Sequence, residues 1–332
     1  MTDARVLERA TDLLRALLGD ALHTDRPLAP MTTYRVGGDA ALFVDARQID
    51  DLVAVARVRA ETGVPVLVVG RGSNMLVADG GFDGVAVSVA DVAGQIEIPD
   101  GACALPSGSP VEVVAGGGAA LPVVARRTAA AGVRGFEWAV GVPGSIGGAV
   151  RMNAGGHGSD MAACLIDVGV LDMDDAARGV FRLPAVDLGL RFRASALAPS
   201  QIVLDARLAL VAGDRAAAEA EIGEIVRWRR EHQPGGQNCG SVFVNPVPGE
   251  VTSGGLIDSM GLRGFRIGTA CVSEKHANFI QADDGGTAAD VRAVIEAVRS
   301  RVAEHTGYRL RSEVRLVGFD DTDPMSFEEH AS

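Results

Sequence analysis

The sequence predicts an α/β (or α+β) fold in which two small units clasp one elongated ligand. The prediction rests on short apolar runs alternating with helical stripes, and on two glycine-rich runs about seventy residues apart, one of which directly follows an apolar strand. At 332 residues the chain has room for two or three domains with cores of their own.

Val6, Leu7, Ala10, Leu13, Leu14, Leu17 and Leu18 recur at helical spacing and predict an amphipathic opening helix over 4–18. The segment Thr32–Ala40 leads into a strand at 41–44, then a helix over 49–62 that Gly63 ends. Strand, glycine run and strand follow between 66 and 78. Further strands are expected near 85–89, 94–98 and 111–115. A helix over 121–131, closed by Gly132, precedes the second glycine run, with strands at 166–172 and 202–210 beyond it. The stretch 213–231 reads as a helix into a third domain, stopped at Pro234-Gly235-Gly236. Thr287, with Asp290 three residues on, opens a last helix; Val291, Val294, Ile295, Val298 and Val302 form its stripe, and Gly307 closes it. From Leu310 to Val317 residues alternate, which predicts a strand with Leu310, Ser312, Val314 and Leu316 on one face and Arg311, Glu313 and Arg315 on the other.

Composition narrows the function. A hydrophobic share of 47% and a charged share of 22% describe an ordinary globular protein. A formal net charge of -12 argues against nucleic acid or an anionic membrane as partner. The opening residues show no basic stretch followed by an apolar one, and the apolar runs are too short to cross a bilayer. Cys103, Cys164, Cys239 and Cys271 are scattered without ligand spacing, so they read as thiols of a reducing compartment rather than a metal site. The expected location is cytoplasmic. Of 31 basic residues only Lys275 is lysine, which singles it out as a candidate cation.

Seven glycines fall between Gly141 and Gly158. Glycine reaches positive φ without steric cost, and successive N–H groups turned into one concavity bind an anion without lysine. Gly70-Arg71-Gly72-Ser73-Asn74 offers a second such nest after a strand. The third glycine and the helix of a dinucleotide fingerprint are missing there. Two nests suit a long ligand that carries a diphosphate.

The segments VGRGSNMLVADGGFDG, GFEWAVGVPGSIGGAVRMNAGG, CGSVFVNP, GLRGFRIGTACVSEKHANFI and LRSEVRLVG follow one another in this order. Together they resemble the UDP-N-acetylenolpyruvoylglucosamine reductase family, over about Thr32 to Gly318, in the shorter subgroup that lacks an extra tyrosine loop. The resemblance implies a vanillyl-alcohol-oxidase-type FAD-binding fold of two α/β subdomains with a C-terminal α/β substrate domain. The implied division is an N-terminal helix at 1–20, an FAD-binding domain at 21–213 (subdomains about 21–92 and 93–213), a substrate domain at 214–319 and a polar tail at 320–332. It further implies non-covalent FAD, NADPH as co-substrate, a UDP-sugar substrate, and a monomer. No metal is implied.

By the same resemblance Gly70, Arg71, Gly72, Ser73 and Asn74, with Gly141, Pro143, Gly144, Ser145, Gly147 and Gly148, hold the cofactor. Ser241 is the proton donor, Arg193 the carboxylate-binding arginine and Glu313 the third catalytic residue. Asn245 contacts substrate phosphate, and Lys275 lies near the nucleotide. Phe192 stands where the family usually has tyrosine. Arg151 and His157 stand at two positions that are usually tyrosine in the shorter subgroup, so Arg151 is taken as a candidate phosphate contact. Arg191 competes with Arg193, and Ser195 in the motif frame favours the latter. The rival reading is another FAD oxidase or dehydrogenase of the same fold, which need not carry Ser241, Arg193 and Glu313 in these frames.

Overall fold

The computed structural model describes residues 2–319; the polar tail expected at 320–332 lies outside them. The chain divides into two compact units. Unit 1 comprises the chain up to Thr24, Leu42–Arg71 and Gly84–Arg229; unit 2 comprises Asp25–Ala41, Gly72–Asp83 and the chain from Arg230.

Unit 1 holds the helices α1 (Ala4–Leu18), α2 (Ile49–Thr62), α3 (Leu121–Ala130), α4 (Ile146–Arg151) and nearly all of α5 (Arg215–His232). The strand Val66–Val69 runs parallel to Phe82–Ser88, with Val66 opposite Val85. Leu14 of α1 and Leu52 and Val55 of α2 close one core over this pairing. A second, antiparallel sheet orders Val180–Pro184, Leu165–Asp172, Gln201–Ala212, Pro110–Gly116 and Ile96–Glu97, with Val133–Arg134 pairing Gln201–Ala212. Val113, Ala115, Val168, Ala206 and Leu208 point from it into a core that Leu121, Val124, Ile146 and Val150 of α3 and α4 complete. The sequence pattern shows no sign of α4, because glycine fills its first turn. The helix exists because Ser145 caps it and Ile146 and Val150 are fully buried.

Unit 2 is built around α7 (Ala288–Thr306). The predicted stripe Val291, Val294, Ile295, Val298 and Val302 is completely buried. It packs on the antiparallel sheet Arg266–Ile267, Ala270–Val272 and Ile280–Ala282 and on α6 (Ser253–Ser259). Met75–Val77 pairs in parallel with Arg315–Val317. The strand predicted from Leu310 is therefore regular only over its last three residues. The alternation fails at Glu313, which is buried together with Ser312 and Val314 instead of lying on an exposed charged face.

The start of α7 is fixed from two directions. Thr287 Oγ1 accepts from Asp290 N at 3.2 Å, as the sequence signal predicts. Asp79, at the end of the Met75–Val77 strand, accepts from Ala288 N and Ala289 N at 2.8 and 2.9 Å. A carboxylate on two free N–H groups at the positive end of a helix stabilises it twice over. Asp79→Ala is expected to lower stability by about 1–2 kcal/mol, with Asp79→Asn intermediate; urea unfolding of the three proteins checks this.

Candidate functional site

The glycine loops come first. The strand Val66–Val69 delivers Gly70 against Ser145, close enough that a Cβ on Gly70 would stand 2.5 Å from Ser145 Oγ. In unit 2, Gly72 has φ +55, and a Cβ there would lie 2.2 Å from the Met31 carbonyl oxygen, so only glycine fits. Asn74 Nδ2 donates to the Glu313 carbonyl at 2.7 Å. In the second loop the N–H groups of Ile146 and Gly147 donate to the carbonyls of Ala119 and Gly117 at 2.9 and 2.8 Å, and Ser145 Oγ faces Gly148 N at 3.5 Å. Those N–H groups are already engaged within the fold. Ahead of them, the N–H groups of Gly144 and Ser145 meet no acceptor among the described residues, and the same holds for Arg71, Gly72 and Asn74. The indole N–H of Trp138, in the turn that leads to Gly141, is buried and also without an acceptor among the described residues.

Elsewhere in unit 1, Arg191 and Ala194 exchange two backbone hydrogen bonds (3.0 and 3.1 Å), so that Phe192 and Arg193 form the tip of a tight turn. Arg193 sits there at φ 57, left-handed and uncommon for a non-glycine residue. Its guanidinium lies 5.7 Å over the ring of Phe192, which is 65% exposed. Ser195 Oγ donates to the Arg151 carbonyl at 2.8 Å, while the Arg151 guanidinium donates to the carbonyls of Leu197, Ala198 and Gln201 at 2.6–3.3 Å. Arg151, expected at a phosphate, clamps the segment that follows the Arg193 turn.

Unit 2 contains a cleft of about 350 Å³ lined by Ser241, Asn245, Gly254, Arg263, His276 and Asn278, among others. The buried Asn278 fixes the strand-like segment that carries Ser241: its Oδ1 accepts from Phe243 N at 3.0 Å and its Nδ2 donates to Phe243 O at 2.8 Å. Asn245 Oδ1 accepts from Ser253 N at 3.1 Å, at the first turn of α6. Glu313 is drawn alongside, its N–H donating to the Val242 carbonyl at 2.8 Å. Ser241, Asn245 and Glu313 are thus brought into one neighbourhood.

Lys275 does not line this cleft; its ammonium donates to the Arg230 carbonyl. Sequence reading passed over Arg263 as a cation, although it stands inside one of the quoted segments. Arg263 donates to Asp258 and, at 2.9 Å, to the Glu274 carbonyl, and it holds the Asp258 carboxyl below its usual range. Burial, and then the Arg263 charge, push the His276 imidazole below its ordinary pKa, so that it enters the cleft neutral.

Behind Ser241, Tyr34 and Cys239 are both buried. Burial pushes the Cys239 thiol up to about 12, with the Glu313 charge adding to the effect, and burial drives the Tyr34 hydroxyl well above its ordinary value. Among the described residues no cluster of three His, Cys, Asp or Glu able to hold a metal is present, and no helix is long and apolar enough to cross a membrane.

Two family descriptions match the chain: an FAD binding domain over residues 40–176, and the C-terminal domain of UDP-N-acetylenolpyruvoylglucosamine reductase over 232–317. Among curated relatives, the UDP-N-acetylenolpyruvoylglucosamine reductase of Heliobacterium modesticaldum is 40% identical over 310 residues, covering 93% of this chain and 94% of that protein. That of Gloeobacter violaceus is 41% identical over 305 residues, covering 90% and 97%. Among solved structures, the reductase of the same name from Thermus caldophilus superimposes with a TM-score of 0.71 at 30% identity, covering 89% of this chain and 99% of that one.

Burial also raises the Cys164 thiol to about 12, whereas Cys103 is exposed. A thiol reagent at about pH 8 should therefore modify Cys103 in the native protein and leave Cys164 and Cys239 intact until the protein is unfolded; mass mapping of the labelled peptides reads this directly.

Proposed function

The chain belongs to the UDP-N-acetylenolpyruvoylglucosamine reductase family, and from that premise we propose that it reduces the enolpyruvyl group of UDP-N-acetylglucosamine-enolpyruvate to give UDP-N-acetylmuramate. The reaction is a step of peptidoglycan precursor synthesis. It uses FAD as the bound carrier and NADPH as the hydride source, and takes place in the cytoplasm on a monomeric enzyme. The observation that supports it best is the unit 2 cleft, where Ser241 and Asn245 line one space with the cation Arg263.

The residues present suit FAD of the vanillyl-alcohol-oxidase-type fold. In unit 1 the N–H groups of Arg71, Gly144 and Ser145 and the buried indole N–H of Trp138 lack acceptors among the described residues; in unit 2 those of Gly72 and Asn74 do. Glycines at 70 and 72 keep the backbone bare where those donors lie. Backbone donors of this kind are what a diphosphate requires, and we read the attachment as non-covalent.

When bound, FAD would supply hydride transfer from NADPH to the methylene carbon of the enolpyruvyl group. The protein's part is to bind, orient and supply a proton. Hydride addition leaves negative charge on the substrate carboxylate and the adjoining carbon. Arg193, a planar fork that stays charged, is assigned to that carboxylate. Ser241 gives its hydroxyl proton to the α-carbon, which is feasible for so weak an acid only beside a strongly basic carbon. Glu313, beside the Ser241 segment, orients that proton transfer. Asn245 and Arg263 serve the substrate phosphates. Anaerobic titration with NADPH, then with the enolpyruvyl sugar, tests the reading: the flavin should bleach and then recover its colour on addition of the sugar, with no oxygen present as an alternative oxidant.

Ser241→Ala should leave flavin reduction by NADPH at the parent rate and slow reoxidation by substrate about 10²–10⁴-fold. Equal reoxidation in stopped flow would make Ser241 a structural residue.

Arg193→Lys keeps a charge but loses the fork, so substrate-dependent turnover should fall far more than substrate affinity. Arg191→Lys should behave like the parent. The reverse outcome shifts the carboxylate contact by two residues.

A further inference from the structure

Near the end of α5, Arg229 presses on the first glycine of the second loop. A Cβ on Gly141 would stand 3.0 Å from Arg229 Cδ and 3.0 Å from His157 Nε2. His157, left-handed at φ 51, occupies the turn between the paired segments Gly155–Gly156 and Ser159–Asp160. Its ring meets that of Trp228 edge-on at 5.2 Å. Arg229 is half-buried, and its guanidinium has no hydrogen bond or ion pair among the described residues. Burial lowers its pKa, and burial followed by the Arg229 charge lowers that of His157, so the imidazole beside it is neutral.

A cation withdrawn from water without an anion is costly, and a fold keeps one where a ligand supplies the missing charge. Other arginines of unit 1 show the contrast: Arg134 is paired with Glu137 and Glu221, and Arg182 with Asp167 and Asp205. Arg229 adjoins the same loop whose Gly144 and Ser145 N–H groups lack acceptors among the described residues. We propose that Arg229 is the cation that meets the negative charge of the bound flavin nucleotide, with His157 and Trp228 holding it against the Gly141 loop. The proposal rests on the FAD reading above. That charge has two sources on the nucleotide, the diphosphate and the flavin ring once reduced.

Two measurements on the holoenzyme separate the sources: FAD release on dilution, followed by flavin fluorescence, and the flavin reduction potential from equilibration with a reference dye. If the diphosphate is the partner, Arg229→Met should weaken FAD binding about tenfold to a hundredfold and leave the potential in place. If the ring is the partner, the oxidised flavin should stay bound and the potential should move negative, because the reduced form alone loses its counter-charge. Arg229→Lys should recover part of either effect. Parent values of both affinity and potential in Arg229→Met overturn the proposal; should that variant not fold, Arg229→Gln is read in its place. A parent protein that neither carries nor takes up FAD overturns the FAD reading itself, and this inference falls with it.

Discussion

The first glycine loop depends on approaches so close that a Cβ at Gly70 or Gly72 would fall inside contact distance of its neighbour. At Gly72 the obstruction is the Met31 carbonyl, and at Gly70 it is Ser145. The same constraint recurs where Gly37 lies on the Val77 carbonyl and Gly38 on the Asp79 carbonyl. It explains why Thr32–Ala40 carries two adjacent glycines just before a strand. Close approach fixes Gly37 and Gly38 on the segment 77–79, and Asp79 in turn caps α7. One steric rule, applied along one stretch of backbone, thus reaches from the first glycine loop to the helix at the centre of unit 2.

An acidic chain that binds anions must make positive potential locally. Here backbone dipoles supply much of it, and the arginines divide into distinct classes. Arg151 is consumed by three carbonyls and acts as a clamp, and Arg263 is held at its cleft by Asp258. Arg229 is left with its charge uncompensated within the described residues. A survey of basic residues in the sequence cannot separate these cases, because the separation lies in what each guanidinium touches. Lys275, conspicuous as the only lysine, was for this reason a weaker pointer than Arg263.

Much of the fold was legible where periodicity and end signals agreed. The opening helix, the helix after Ile49 and the helix after Thr287 formed where the pattern put them; Gly63 ends the second and Thr287 and Gly307 cap the last as the sequence predicts, and the buried stripe of α7 is the one read from the valines. Two short helices were not legible. Glycine in their first turns costs about 1 kcal/mol each by intrinsic propensity, and side-chain caps from Ser145 and Thr252 together with burial outweigh it. The strand read from Leu310 failed for a different reason. Alternation presumes one wet face, and at Glu313 both faces are covered, which removes the charged residue from the surface where the pattern put it. Burial of a carboxylate beside the Ser241 segment is itself the sort of local rule-breaking expected at a functional site.

Arg193 shows why such exceptions persist. A left-handed arginine carries a strain of about 1–3 kcal/mol that glycine would relieve at once. The turn Arg191–Ala194 nonetheless places arginine there, with Ser195 tied to Arg151 and Arg151 tied to three carbonyls downstream. That clamp over-determines the turn, so the strained conformation is held by its surroundings instead of relaxing. The backbone at Arg193 is thereby fixed, with its guanidinium over the Phe192 ring. Arg191, on the same turn, lies outside the left-handed region and is held instead by its two backbone hydrogen bonds to Ala194, so the strain falls on Arg193 and not on Arg191.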